Sequence, residues 1–288
     1  MLTMPTTLVD ANNALGECPL WCERSGRLLW TDILGATLWA HTLATGETRS
    51  WPMPERLASF ALTADRDRLL LGLASRLAFY RFSTGEITAI CEVEPALGTR
   101  LNDGRCDRHG RFVFGTFNEA EPRLPIGSFY RLGTDLALQR LPLPGVAIAN
   151  SICFSPDGLT MYYCNSPDRV IRCCDYAENG ALANDRVFAT VEGEGEPDGS
   201  CIDAAGYLWN AQWGGSRLVR YAPDGSIERV VATPGSQPSC VSIGGVGLDS
   251  LFATSARVGL AAPASADGAL FSAKLDRIRG LPESRFGG

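Results

Sequence analysis

The chain has 288 residues, 45% of them hydrophobic and 20% charged, and a formal net charge of −6. That balance fits a globular protein with a substantial core and argues against nucleic acid as a partner, because binding it requires a basic face that displaces counterions. No apolar run reaches the roughly 18 residues that a membrane-spanning helix needs, and the opening MLTMPTTLVDANN has neither a basic nor an apolar segment, so no secretory signal is expected and the expected location is cytoplasmic.

Residues 6–10, TTLVD, read as a short strand with no neighbour in sequence. GECPLWC follows, then RLLWTD after the turn Ser25-Gly26, then TLWAHTL, a turn at Thr45-Gly46 and a fourth strand. Alternating runs cut at regular spacing by glycine turns are the pattern of half-buried antiparallel strands. The same order returns in SFALTAD, RLLLGL, LAFYRF and ITAICEV, and again in RLNDGRCD, RFVFGTF and SFYRL. Between the last two lies 118–127, NEAEPRLPIG, whose two prolines and two glutamates make it a loop that can overhang a neighbouring site. A fourth copy runs from IANSICFS through the turn quartet SPDG to TMYYCNS, and a fifth from EPDGSCID through YLWNAQ to RLVRYAPDGS. The sixth, PSCVSIG, DSLFATSAR and GALFSAKL, has only three strands. Residues 6–10 are expected to supply its fourth, which ties down the terminus and closes a ring.

One slot in this repeat is filled in turn by Glu17, Ser59, Asn102, Asn150, Asp198 and Ser239, at intervals of 42, 43, 48, 48 and 41 residues. A repeat of that length built from short strands predicts an all-β fold, a six-bladed β-propeller spanning residues 1–288 as one domain. Equivalent slots of successive blades converge on the axis. Four of the six residues there carry carboxylate or amide oxygens, which suit one hard divalent cation such as Ca²⁺, Mg²⁺ or Mn²⁺, while Zn²⁺ also accepts carboxylates. Ser59 and Ser239 are weak donors and are expected to line the channel.

Scarce histidine narrows the chemistry. His41 falls on an outer strand and His109 in a turn, which leaves no partner for a serine or cysteine nucleophile and no three-histidine zinc site. What remains is metal-assisted attack by water, with Asp198 or Glu17, the two slot carboxylates, taking the proton. Arg100 precedes Asn102 by two and so shares its side of the strand, where a guanidinium can grip a hydroxyl-rich or anionic ligand. Trp213 fits either core or channel rim. The ten cysteines, Cys153 and Cys201 among them, have no zinc-ribbon spacing and read as reduced and mostly buried; the vicinal Cys173-Cys174 pair carries no redox expectation.

Taken together, GE-P-W around Glu17, R-NDG around Arg100 and Asn102, AN followed by SPDG around Asn150, PDG-CID-G-LW around Asp198, WGG-R and TSAR resemble the regucalcin–gluconolactonase family over essentially the whole chain. The resemblance implies one divalent metal held by Glu17, Asn150 and Asp198, with Arg100 and Asn102 contacting substrate. It also implies hydrolysis of a sugar lactone in bacterial aldose oxidation, with Asp198 as both ligand and proton acceptor. A substrate-binding glutamate of the family corresponds here to Glu119 or Glu121. Asn150-Ser151 stands where the family often has Asn-Gly, a change expected to be harmless. The alternatives are a phosphotriesterase-like propeller hydrolase and a non-enzymatic calcium-binding propeller; no obligate protein partner is expected.

Overall fold

The computed structural model describes residues 4–288. Within them 24 strands form six four-stranded antiparallel sheets. Five sheets follow chain order outward from an inner strand: Gly16–Cys22, Leu57–Leu62, Thr99–Cys106, Ala149–Phe154 and Glu196–Ile202. The sixth runs inward from Thr6–Val9 through Leu270–Lys274 and Ser250–Ser255 to Pro238–Gly244. Each inner strand packs on the next, and Pro238–Gly244 packs on Gly16–Cys22, so the ring closes. The expected closing strand is present: Thr6 and Thr7 pair with Ser272 and Phe271.

Burial grades from axis to rim. All seven residues of Gly16–Cys22 and all six of Leu57–Leu62 and Ala149–Phe154 are buried, because neighbouring blades cover both faces. Outer strands such as Thr48–Pro52 and Ile87–Glu92 are exposed or half-buried throughout. Six hydrophobic clusters fill the six clefts between blades. Leu20, Phe60 and Leu71 pack between the first two blades, and Phe112 and Phe114 between the second and third. Trp21, Trp30 and Phe252 pack the seam where the ring closes.

The segment after Lys274 straps the face opposite the loop 118–127. The Ala204 amide donates to the Arg279 carbonyl at 2.8 Å, the Phe286 amide to Leu62 at 2.8 Å, and the Gly287 amide to Gly110 at 2.9 Å. Phe286 is fully buried beside Phe79, with ring centroids 6.1 Å apart. Glu283 on this strap reaches Arg105 at 3.5 Å, on the third blade's inner strand. Only a void of about 20 Å³ remains around that pair. The strap carries no hydrophobic period; its role is visible only once the ring is formed.

Candidate active site at the propeller axis

Each inner strand breaks register beside its slot residue: Glu17/Leu20, Leu57/Ser59, Leu101/Gly104, Asn150/Cys153, Pro197/Ser200 and Pro238/Val241. An extra residue at such a bulge bends the strand and re-aims a side chain. Cys18 (φ 50°) and Ser151 (φ 63°), immediately after Glu17 and Asn150, stand in the left-handed region that L-residues seldom occupy. Glycine would sit at Ser151 without that cost. Here the Ser151 hydroxyl shares a 2.6 Å hydrogen bond with Ser200 and accepts the Asn210 amide at 3.2 Å. Those bonds offset the strain that the serine brings.

Glu17, Arg100, Asn102, Glu119, Asn150 and Asp198 all line one cavity of about 440 Å³, with Phe117, Trp213 and Gln237 on its walls. Of the two loop glutamates, Glu119 reaches the cavity. Glu121 is 74% exposed and pairs with Arg123 at 3.1 Å. The loop 118–127 does overhang the site, through Glu119 and Arg123. Ser59 and Ser239 depart from expectation, because they are fully buried and off the cavity. Ser59 turns toward Gly72 and Gly104, and the Ser239 hydroxyl donates to the Gly16 carbonyl. A two-atom side chain does not clear the bulged backbone.

A relay of hydrogen bonds sets the orientation of the amides. The Ser166 hydroxyl donates to the Pro197 carbonyl at 2.8 Å and accepts the Asn150 amide nitrogen at 2.9 Å. Asn150 therefore presents its oxygen on the other side, where the Asn102 amide donates to it at 2.9 Å. Arg100 donates to the Asn102 oxygen at 2.6 Å and to Glu119 at 3.2 Å, with its guanidinium 4.4 Å from the centre of the Phe117 ring. Arg56 grips both oxygens of Glu119, at 2.6 and 2.8 Å. Ser166 begins a single turn of 3₁₀ helix at the end of the strand Thr160–Asn165. Sequence reasoning missed it because no repeat marks that position.

Glu17 and Asp198 are buried, and neither forms an ion pair among the described residues. Burial pushes Glu17 up to about 8, helped by the charge of Asp103. Burial, then the charges of Glu17 and Asp103, raise Asp198 well above the usual carboxylate range. Asp103, a second residue not singled out in the sequence, is itself lifted to about 6 by burial, while its carboxylate accepts the Ile152 amide at 2.7 Å. Two crowded carboxylates without an ion-pair partner, next to an amide oxygen held in place, fit a hard divalent cation. Among the described residues no three His, Cys, Asp or Glu side chains converge for a metal. The donor set here is two carboxylates and an amide.

A pH dependence follows for the metal-free protein. A carboxylate whose folded pKa is raised contributes most stability below its ordinary value, 4.5 for Glu17, and loses it as pH climbs through about 8. Thermal melts of chelator-treated protein should therefore fall in midpoint across that window, while cation-loaded protein changes less. Cation binding below pH 8 should release protons. A metal-free midpoint that is flat or rises across the window would contradict the burial argument.

Gly199 follows Asp198 on the inner strand, where a glycine would ordinarily serve a left-handed turn. Its φ is not positive, so the requirement is close approach instead. A Cβ there would lie 2.3 Å from the Cys240 sulfur on the adjacent inner strand. Glycine lets blades five and six meet and brings Asp198 to the axis.

Of the ten cysteines, nine are buried and Cys91 is half-buried; all are free. His41 is held by Thr48 at 2.8 Å, and His109 is exposed in its turn. Neither touches the cavity.

Fold and donor set together define a class: six-bladed propellers with an axial cavity lined by carboxylates and amides. The family described as SMP-30/Gluconolactonase/LRE-like region matches residues 15–257, and the chain belongs to it. An L-arabinolactonase of Azospirillum brasilense is 53% identical over 98% of this chain and 95% of that one. A 6-deoxy-6-sulfogluconolactonase of Pseudomonas putida is 32% identical over 98% of each chain. The solved structure of a calcium-binding protein, regucalcin, of Agrobacterium tumefaciens superposes with a TM-score of 0.91 at 28% identity, covering 99% of this chain and 97% of that one.

Proposed function

We propose that the protein hydrolyses a sugar aldonolactone to its aldonic acid, with the lactone of L-arabinonic acid first among candidates. The observation that carries this reading is the meeting of Glu17, Asn102, Asn150, Asp198 and Arg100 in one cavity of about 440 Å³. That volume lies within the roughly 300–1,000 Å³ of small-molecule sites. The 53% identity to an L-arabinolactonase supports the choice of sugar.

Glu17, Asn150 and Asp198 would hold one divalent cation, Ca²⁺, Zn²⁺, Mn²⁺ or Mg²⁺, which would supply Lewis-acid polarisation of the lactone carbonyl and of a water. Asp198 takes a proton from the attacking water as its oxygen bonds to the carbonyl carbon. The ring C–O bond then breaks, and Asp198 returns that proton to the departing ring oxygen, giving the open hydroxy acid. Arg100 and Asn102 position the lactone, held by the contacts to Glu119 and Asn150 described above. Glu119 stays ionised, because the Arg56 guanidinium holds its carboxyl below the usual range.

The test is acid release from a panel of aldonolactones by chelated and by reloaded protein. Cation-dependent opening of the pentonolactones is expected. Turnover of organophosphate esters with no lactone opened would favour the phosphotriesterase reading. Cation binding without turnover of either would leave a binding propeller.

A further inference from the structure

Side chains two residues apart on a strand share a face. Stepping back by two from the six slots gives a second ring: Leu15, Leu57, Arg100, Ile148, Glu196 and Gln237. All but Leu57 line the cavity. This ring meets the part of a ligand lying away from the carboxylates below.

Its polar members are not equally engaged. Arg100 is committed to Asn102, Glu119 and the Leu101 carbonyl. The Gln237 amide nitrogen donates to the carbonyls of Ala256 at 3.2 Å and Val258 at 3.0 Å. Glu196 is half-buried on the wall and, among the described residues, forms no ion pair and accepts no hydrogen bond. Arg217 nearby donates instead to Gln212 at 2.6 Å and to the Glu194 carbonyl at 3.2 Å.

The charge balance gives that free carboxylate a meaning. Glu119 is neutralised by Arg56, and Arg123 by Glu121. Among the side chains lining the cavity, Arg100 is then left against Glu17, Asp198 and Glu196, a surplus of two negative charges that one divalent cation would cancel; Asp103, behind the lining, faces Arg105. The lining of a loaded cavity is then neutral, and the Glu196 carboxylate offers two acceptor oxygens to hydroxyl groups. An anionic substituent on the same wall would meet like charge, which costs affinity in a partly desolvated site.

We infer that Glu196 determines specificity by charge: it accepts hydrogen bonds from the hydroxyls of an uncharged lactone and keeps out lactones bearing phosphate or sulfonate. The inference rests on the lactonase reading. Named relatives include enzymes of both an uncharged and a sulfonated lactone, so the fold itself does not exclude either.

The experiment compares wild type with Glu196→Gln on gluconolactone and on its 6-phosphate, which differ only in the charged group. Cation affinity is titrated in parallel. The wild type should prefer the uncharged lactone, and Glu196→Gln should raise the relative kcat/KM for the phosphate roughly tenfold, with cation affinity within about twofold. Calorimetric binding of a pentitol against its phosphate gives the same comparison without turnover. If no lactone is opened but the variant's binding shifts toward the phosphate, the lactonase reading fails and the charge filter stands. An unchanged ratio in both measurements overturns the filter. A fall in cation affinity matching any change in ratio also overturns it, because Glu196 would then act by holding the cation.

Discussion

Asp198→Asn, saturated with cation, is expected to lower lactone turnover by about 100-fold or more with the propeller intact. General-base help is worth roughly 10²–10⁴-fold, and asparagine keeps an oxygen ligand while removing the basicity. Glu17→Gln under the same conditions should lose less. Each carboxylate is held by the amide of the residue that follows it, Glu17 by Cys18 at 3.0 Å and Asp198 by Gly199, but Glu17→Gln gives up charge while keeping the proposed proton acceptor. Both variants should bind cation more weakly, so each must be shown to be loaded before rates are compared. Equal losses, or a larger loss in Glu17→Gln, would move the base to Glu17.

Arg100→Ala should lower kcat/KM by roughly 100-fold, the scale of one oriented donor lost from a desolvated site. Arg100 is 3% exposed and ties Asn102, Glu119 and Phe117 into one wall. Cation affinity should change little, since the Ser166 relay fixes Asn150 independently of Arg100. Arg100→Lys should recover little, because an ammonium lacks the planar fork that serves Asn102 and Glu119 together. Loss of cation affinity in Arg100→Ala would instead make it a support for the Asn102–Asn150 pair. Unchanged kinetics would remove it from the site.

Much of this architecture was legible in the repeat. Spacing alone pointed to six blades, the closing N-terminal strand and the four slots now found around one cavity. Arg100 emerged from a spacing of two, and the overhanging loop from its prolines. What stayed hidden depends on contacts between blades. Period-two reasoning sends Asp103 away from Asn102, yet the bulge between Leu101 and Gly104 brings its charge close enough to raise both Glu17 and Asp198. Ser166 reaches Asn150 and Pro197 from the end of a second strand, across 16 and 31 residues of sequence. Choosing Glu119 over Glu121 required the Arg56 and Arg100 contacts, and Gly199 is explained only by Cys240 next door. The serine slots failed for a simpler reason of reach.

Cation-assisted lactone opening at the axial cavity is tested most directly by one measurement. Acid release from the lactone of L-arabinonic acid is followed with protein stripped of metal, then with the same protein after a divalent cation is restored. Stripping should remove more than roughly 100-fold of the rate, since carbonyl polarisation by a cation is worth several kcal/mol, and reloading should recover it. Stripped protein that opens the lactone at the loaded rate would contradict the account.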